Sequence, residues 1–151
     1  MVSLDIQQYA PQLRRLFADH GVVLAYLFGS QAEGKAGPLS DVDVAVLLGP
    51  QVEREHWFQT QLDLIGGLID LFHRNDVDVV ILNEATPVVA HEVVQFGQAL
   101  YEAEPGTRVD FEVATLRRYV DTEPLRRLQD RRLLERAEEY RLASNPSDFR
   151  W

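Results

Sequence analysis

The chain has no cysteine, a single lysine (Lys35) and a single methionine in 151 residues. Without thiols, neither a disulfide framework nor a thiolate zinc site is open to it. No apolar run approaches the ~20 residues that a membrane-spanning helix needs. The opening residues MVSLDIQQYA lack the basic and apolar regions of a secretory signal, so a cytoplasmic location is expected. Positive charge is scarce overall: 15 Lys and Arg face 24 Asp and Glu, a formal net charge of -9. A non-specific nucleic-acid binder needs a basic surface for phosphate contacts, so no direct nucleic-acid partner is expected. With 46% hydrophobic residues, the chain can bury one core and has no room for a second full domain.

What is present concentrates in one stretch. Residues 29–43 read GSQAEGKAGPLSDVD: Gly29 and Ser30, ten intervening residues, then Asp41 and Asp43 one residue apart. The apolar runs VVLAYLF (Val22 to Phe28) and VAVLL (Val44 to Leu48) flank it, which predicts a strand, a turn, a loop and a second strand. Alternate side chains of a strand share a face, so Asp41 and Asp43 point one way and Val42 and Val44 the other. Two carboxylates in one small volume repel and raise each other's pKa. Mg2+, a hard ion usually held by one or two carboxylates with phosphate oxygens and water, removes that penalty. Gly29 lets the backbone approach a phosphate closely, and Ser30 adds a hydroxyl and an amide donor. Gly34 to Ser40 reads as a loop broken by Gly37-Pro38. Either half alone is ordinary turn or edge chemistry. Joined at fixed spacing, they point to a nucleoside triphosphate bound with Mg2+.

Two-metal phosphoryl chemistry needs a further carboxylate. The run VDVVIL (Val77 to Leu82) offers Asp78, with Asp76 as competitor. Asp78 is favoured because a carboxylate inside an apolar run is costly to explain structurally, whereas Asp76 follows Asn75 and reads as part of a turn. The remaining elements follow from periodicity. Leu4 to Asp19 reads as a helix with Leu13, Leu16 and Phe17 on one face, a kink or restart at Pro11 and a stop at His20-Gly21. Glu53 to Arg74 reads as an amphipathic helix with Phe58, Leu62, Ile65, Ile69 and Phe72 as its apolar stripe. Thr86-Pro87 begins a helix reaching about Phe96, and Leu100-Tyr101 suggests a short strand before a turn at Pro105-Gly106. His20, His56, His73 and His91 show no metal-ligand spacing, and Trp57 reads as a core aromatic of its helix. From Arg108 to Arg141 helix formers dominate, interrupted by Pro124, and eight of the fourteen arginines fall between Arg117 and Arg141. Two readings of this stretch stand side by side: a solvated helical face paired with Glu135, Glu138 and Glu139, or a docking surface.

The segment YLFGSQAEGKAGPLSDVDVAVLL (Tyr26 to Leu48), with Asp78 in VDVVIL, resembles the minimal nucleotidyltransferase (MNT) domain of the DNA polymerase beta superfamily. The resemblance implies an α/β (α+β) fold, a mixed β-sheet flanked by helices with a C-terminal helical extension. It implies that Gly29 and Ser30 bind the triphosphate of ATP and that Asp41, Asp43 and Asp78 hold Mg2+, two ions in all, for nucleotidyl transfer. Members often carry a basic residue near position 33, where this chain has Glu33, with Lys35 two residues on. The domain is expected over residues 1–104, a helical extension packing on it or on a partner over 105–143, and a tail over 144–151. Short chains of this family with such an extension look like the antitoxin half of bacterial HEPN–MNT toxin–antitoxin pairs. That likeness implies a hetero-oligomer in which AMP passes from ATP to a tyrosine of a HEPN ribonuclease toxin. Two alternatives remain: inhibition of a partner by binding and occlusion, and AMP transfer to a small-molecule hydroxyl.

Overall fold

The apolar runs on either side of the motif are neighbouring strands of one sheet. In the computed structural model, which describes residues 5–29 and 41–143, β1 (Val22–Phe28) pairs antiparallel with β2 (Val42–Leu48), so that Phe28 lies opposite Asp43. β2 begins at Val42, two residues earlier than the apolar run predicts, because Asp43 alternates with buried valines and stays in the ladder. β3 (Val77–Ile81) joins β2 in parallel and β4 (Gln98–Glu102) joins β1 antiparallel, giving the order β3-β2-β1-β4. The parallel β2–β3 pair requires a crossover. The helix α2 (Trp57–Phe72) supplies it.

Strand alternation sorts the core into two layers. Val42, Val44, Val46, Val79 and Ile81 pack with Leu13 and Phe17 of α1 (Ala10–Asp19) and with Leu64, Leu68 and Phe72 of α2. On the other face Leu24, Tyr26 and Ala45 pack with Val93 of α3 (Pro87–Phe96) and Phe111 of α4 (Thr107–Asp121). The first helix divides as Pro11 suggests: a 3-10 turn over Ile6–Tyr9 precedes α1, and the proline occupies the first turn of α1, where its missing N–H costs nothing. Thr86 caps α3 by accepting from the Val89 amide at 3.3 Å.

The stripe expected on α2 is only half right. Leu64, Leu68 and Phe72 are buried, whereas Phe58 and Leu62 are 69% and 46% exposed. This helix is apolar on more than one side, so periodicity alone leaves its rotation open. Gly67 decides it: a Cβ there would meet Leu16 Cδ1 at 2.6 Å, so the bare glycine face is the one that admits α1. Trp57 packs against the core and donates its indole N–H to the Val52 carbonyl at 3.2 Å.

The C-terminal helices behave differently from each other. α4 docks on the sheet through Tyr26, whose hydroxyl donates to Glu112 Oε1 at 2.9 Å, while Arg108 donates to the same oxygen at 2.8 Å. Burial, then the Glu112 hydrogen bond and charge, push the Tyr26 hydroxyl well above the usual phenol range. α5 (Glu123–Ala143) is joined to α4 by Arg126, which lies 3.9 Å over the Tyr119 ring and donates to the Tyr119 carbonyl at 2.7 Å. His91 of α3 stacks on Tyr119 at 3.8 Å. Along α5, Leu125, Leu128, Leu133, Leu134, Tyr140 and Leu142 are exposed. No helix among the described residues is long and apolar enough to cross a membrane.

Candidate active site

β1 delivers the chain to the site and Gly29 turns it. Gly29 has φ +76°, a conformation that favours glycine, and a Cβ there would stand 2.6 Å from Asp43 Oδ2. The turn backbone is thus pressed against the Asp43 carboxylate. Ser30, with Glu33 and Lys35, lies outside the described residues.

The aspartates assemble by register. Val42 and Val44 are fully buried in the α1–α2 layer, which directs Asp41 and Asp43 to the opposite face. The parallel pairing then sets Asp78 directly beside Asp43. Asp43 is half-buried, and its carboxyl is pushed above the usual range by burial first and then by the charges of Asp41 and Asp78. Three like charges therefore act on one volume.

Asp78 joins the pair for a reason other than the one the sequence suggests. The expectation rested on the cost of burying it, yet Asp78 is exposed and its Oδ1 accepts from the Val79 amide at 2.9 Å. Register with Asp43, not burial, brings it in. Asp76 is bound by Arg74, whose Nε donates to Oδ1 at 2.8 Å, and this hydrogen bonding holds the Asp76 carboxyl below the usual range. Arg74, expected as the last residue of the second helix, lies beyond α2, which ends at Phe72 because His73 turns left-handed. The signal for its pairing with Asp76 was an arginine two residues ahead of a carboxylate that precedes a strand.

The three carboxylates lie where β2 and β3 begin, and their ligand atoms do not all come within 4.8 Å of one another. Among the described residues, the group whose ligand atoms all lie within 4.8 Å of one another is Glu53, Glu55 and His56, exposed just ahead of α2. The sequence passes over His56 because the histidines lack mutual spacing; its acidic neighbours, two of them within three residues, were the available signal.

The family described as Polymerase beta, Nucleotidyltransferase matches residues 11–105, a span holding Gly29, Ser30, Asp41, Asp43 and Asp78. The chain belongs to the polymerase beta nucleotidyltransferase family. Its architecture, a mixed four-stranded sheet with flanking helices and a C-terminal helix, is the fold of that family. Among characterised relatives, the protein adenylyltransferase MntA of Shewanella oneidensis is 33% identical over 99 residues, which cover 64% of this chain and 65% of that protein. The chain thus spans just under two thirds of that relative's length. A crystal structure described as a toxin–antitoxin with AMP-PNP superposes with a TM-score of 0.70 at 26% identity, covering 87% of this chain and 99% of the other. A structure of the tri-AMPylated Shewanella oneidensis HEPN toxin in complex with MNT antitoxin, at 24% identity and a TM-score of 0.63, covers 85% of this chain and 98% of the matched chain, and shares the fold.

Proposed function

We propose that this chain is a Mg2+-dependent nucleotidyltransferase that moves AMP from ATP onto a tyrosine hydroxyl of a HEPN ribonuclease toxin, and so serves as its antitoxin. The observation that carries the reading is the β2–β3 register, which stands Asp43 beside Asp78 with the Gly29 turn against Asp43. The donor set suits a hard divalent cation. Its ligands would be carboxylate oxygens, and a cation would reverse the charge crowding that raises the Asp43 carboxyl. When bound by Asp41, Asp43 and Asp78, Mg2+ supplies charge neutralisation at the phosphates and a lowered pKa for the acceptor hydroxyl.

The chain's own residues do the rest. The Gly29 turn, with Ser30, receives the triphosphate on backbone donors. Asp41 and Asp43 would hold the cation against the α-phosphate, so that the acceptor oxygen approaches in line. The tyrosine oxygen bonds to the α-phosphorus, the bond to the β-phosphate bridging oxygen breaks, and pyrophosphate leaves. Exposed Asp78 takes the hydroxyl proton. Positioning and charge, not a protein nucleophile, carry this chemistry. The adenylyltransferase description of the Shewanella relative and the AMP-PNP in the related toxin–antitoxin structure support ATP as donor and a protein as acceptor.

The test is incubation of the full chain with Mg2+, ATP labelled at the α-phosphorus, and a lysate containing a HEPN-type protein. Label is expected on one protein band with wild type, and its yield should fall at least about a hundredfold with Asp41→Asn/Asp43→Asn, as for loss of metal ligands. The single Asp43→Asn variant should melt no lower than wild type in metal-free buffer, since it removes a half-buried like charge. Full labelling by the double variant defeats the assignment. Label on a small molecule would move the acceptor, and neutralisation of the toxin without label would leave occlusion as the function.

A further inference from the structure

Four carboxylates, rather than three, gather where β2 and β3 begin. The ladder that sets Asp43 beside Asp78 opens at Val42 and Val77, so Asp41 and Asp76 are the residues that lead into the two strands. Asp76 differs from its neighbours in being clamped. Arg74 grips it with both arms of the guanidinium, Nε to Oδ1 at 2.8 Å and Nη2 to Oδ2 at 2.5 Å, the planar geometry that suits arginine and not lysine. The main chain of Asp76 is engaged as well: its carbonyl accepts from the Val42 amide at 2.7 Å. That amide belongs to the residue between Asp41 and Asp43.

We propose that Arg74 and Asp76 form a positioning pair for the nucleotide site, in which the guanidinium cancels the fourth carboxylate and steadies the turn whose carbonyl holds the Asp41–Asp43 segment in register. This rests on the nucleotidyl-transfer reading and deepens it. A triphosphate approaching this edge meets the field of every carboxylate on it. An uncompensated Asp76 would add a fourth negative charge next to Asp41. The electrostatics agree with the geometry: hydrogen bonding to Asp76 is the first cause raising the Arg74 pKa, and the charge of Asp41 adds to it, so the guanidinium field reaches that carboxylate too. The α2–β3 turn thereby supplies a cation to the site from outside the Gly29–Asp43 motif.

Charge cancellation and direct ligand contact separate in a double-mutant cycle read by calorimetric titration of the full chain with Mg2+ and a non-hydrolysable ATP analogue. Arg74→Gln leaves Asp76 charged and should raise Kd about tenfold. Arg74→Gln/Asp76→Asn removes both charges and should return Kd to within about threefold of wild type. Asp76→Asn alone should bind no more weakly than wild type. A wild-type Kd in Arg74→Gln overturns the proposal, as does a double variant that shows no recovery while its Val42 amide exchanges as in wild type; that second result would mean that Arg74 touches the nucleotide itself. If Arg74→Gln fails to fold by circular dichroism, Arg74→Lys keeps the charge and should bind within about threefold of wild type, and a tenfold loss there is equally fatal. The positioning half has a ligand-free readout: hydrogen exchange at the Val42 amide should quicken about tenfold in Arg74→Gln, or in Arg74→Lys, which loses the bidentate grip. Unchanged exchange overturns that half. A wild-type chain that binds no nucleotide defeats the nucleotidyl-transfer reading instead, while the exchange experiment still judges the pair.

Discussion

Gly29 shows how much of the site hangs on single atoms. Two independent constraints meet at this position: a φ of +76°, and a carboxylate oxygen 2.6 Å from where a Cβ would sit. An L-residue in the left-handed region costs about 1–2 kcal/mol, before any displacement of Asp43 is counted. Gly29→Ala is therefore expected to lower the melting temperature by about 3–6 °C and AMP transfer by at least about tenfold, checked by thermal unfolding and labelled-ATP assay. Retention of full activity would mean that the turn does not position Asp43. Much of the candidate site was legible in the sequence, because Gly29, Asp41 and Asp43 are singled out by local spacing alone. Asp78 was named for the wrong physical reason and Arg74 was read only as the end of a helix, since the part each plays depends on which strand lies next to β2, a relation between residues more than thirty positions apart.

At the scale of elements, the docking of α4 turns on a hydrogen bond that joins residues 86 positions apart, Tyr26 of β1 and Glu112 of α4. Tyr26 reads in sequence as one more apolar strand residue; only the arrival of α4 gives its hydroxyl a partner. Tyr26→Phe should cost about 1.5–3 kcal/mol, the range for a hydrogen bond to a charged group, since it leaves Glu112 with Arg108 alone. The pH dependence has a definite sign. The folded-state pKa of Tyr26 lies above its unfolded value, so its contribution is complete below about pH 10 and declines as pH rises further, when the unfolded chain ionises and the folded one does not. The gap in melting temperature between wild type and Tyr26→Phe should be constant from pH 7 to about 9 and narrow above about 10. A gap that widens in alkali would refute the assignment of the shift to burial and Glu112. The rotation of α2 belongs to the same scale: composition made it a helix, and contact of Gly67 with Leu16 chose its buried face.

For the whole molecule, the division of labour lies between the sheet with its covering helices and α5. The core layers contain residues of α1, α2, α3 and the four strands, with Phe111 from α4 packed against one of them, and none from α5. Ending the chain after Thr122 should lower the melting temperature by less than about 4 °C and change the Kd for Mg2+ and an ATP analogue by less than about twofold, measured by calorimetry and thermal unfolding. Collapse of the fold would show α5 to be part of the core. The sequence by itself determined the two strands that flank the motif, the acidic character and the helical C-terminal third, because these depend on neighbours within a few residues. The tertiary structure alone decided which carboxylates share a face, which of them Arg74 neutralises and which side of α2 is buried. Those outcomes are set by strand register and helix contact between distant segments, and no local periodicity encodes them.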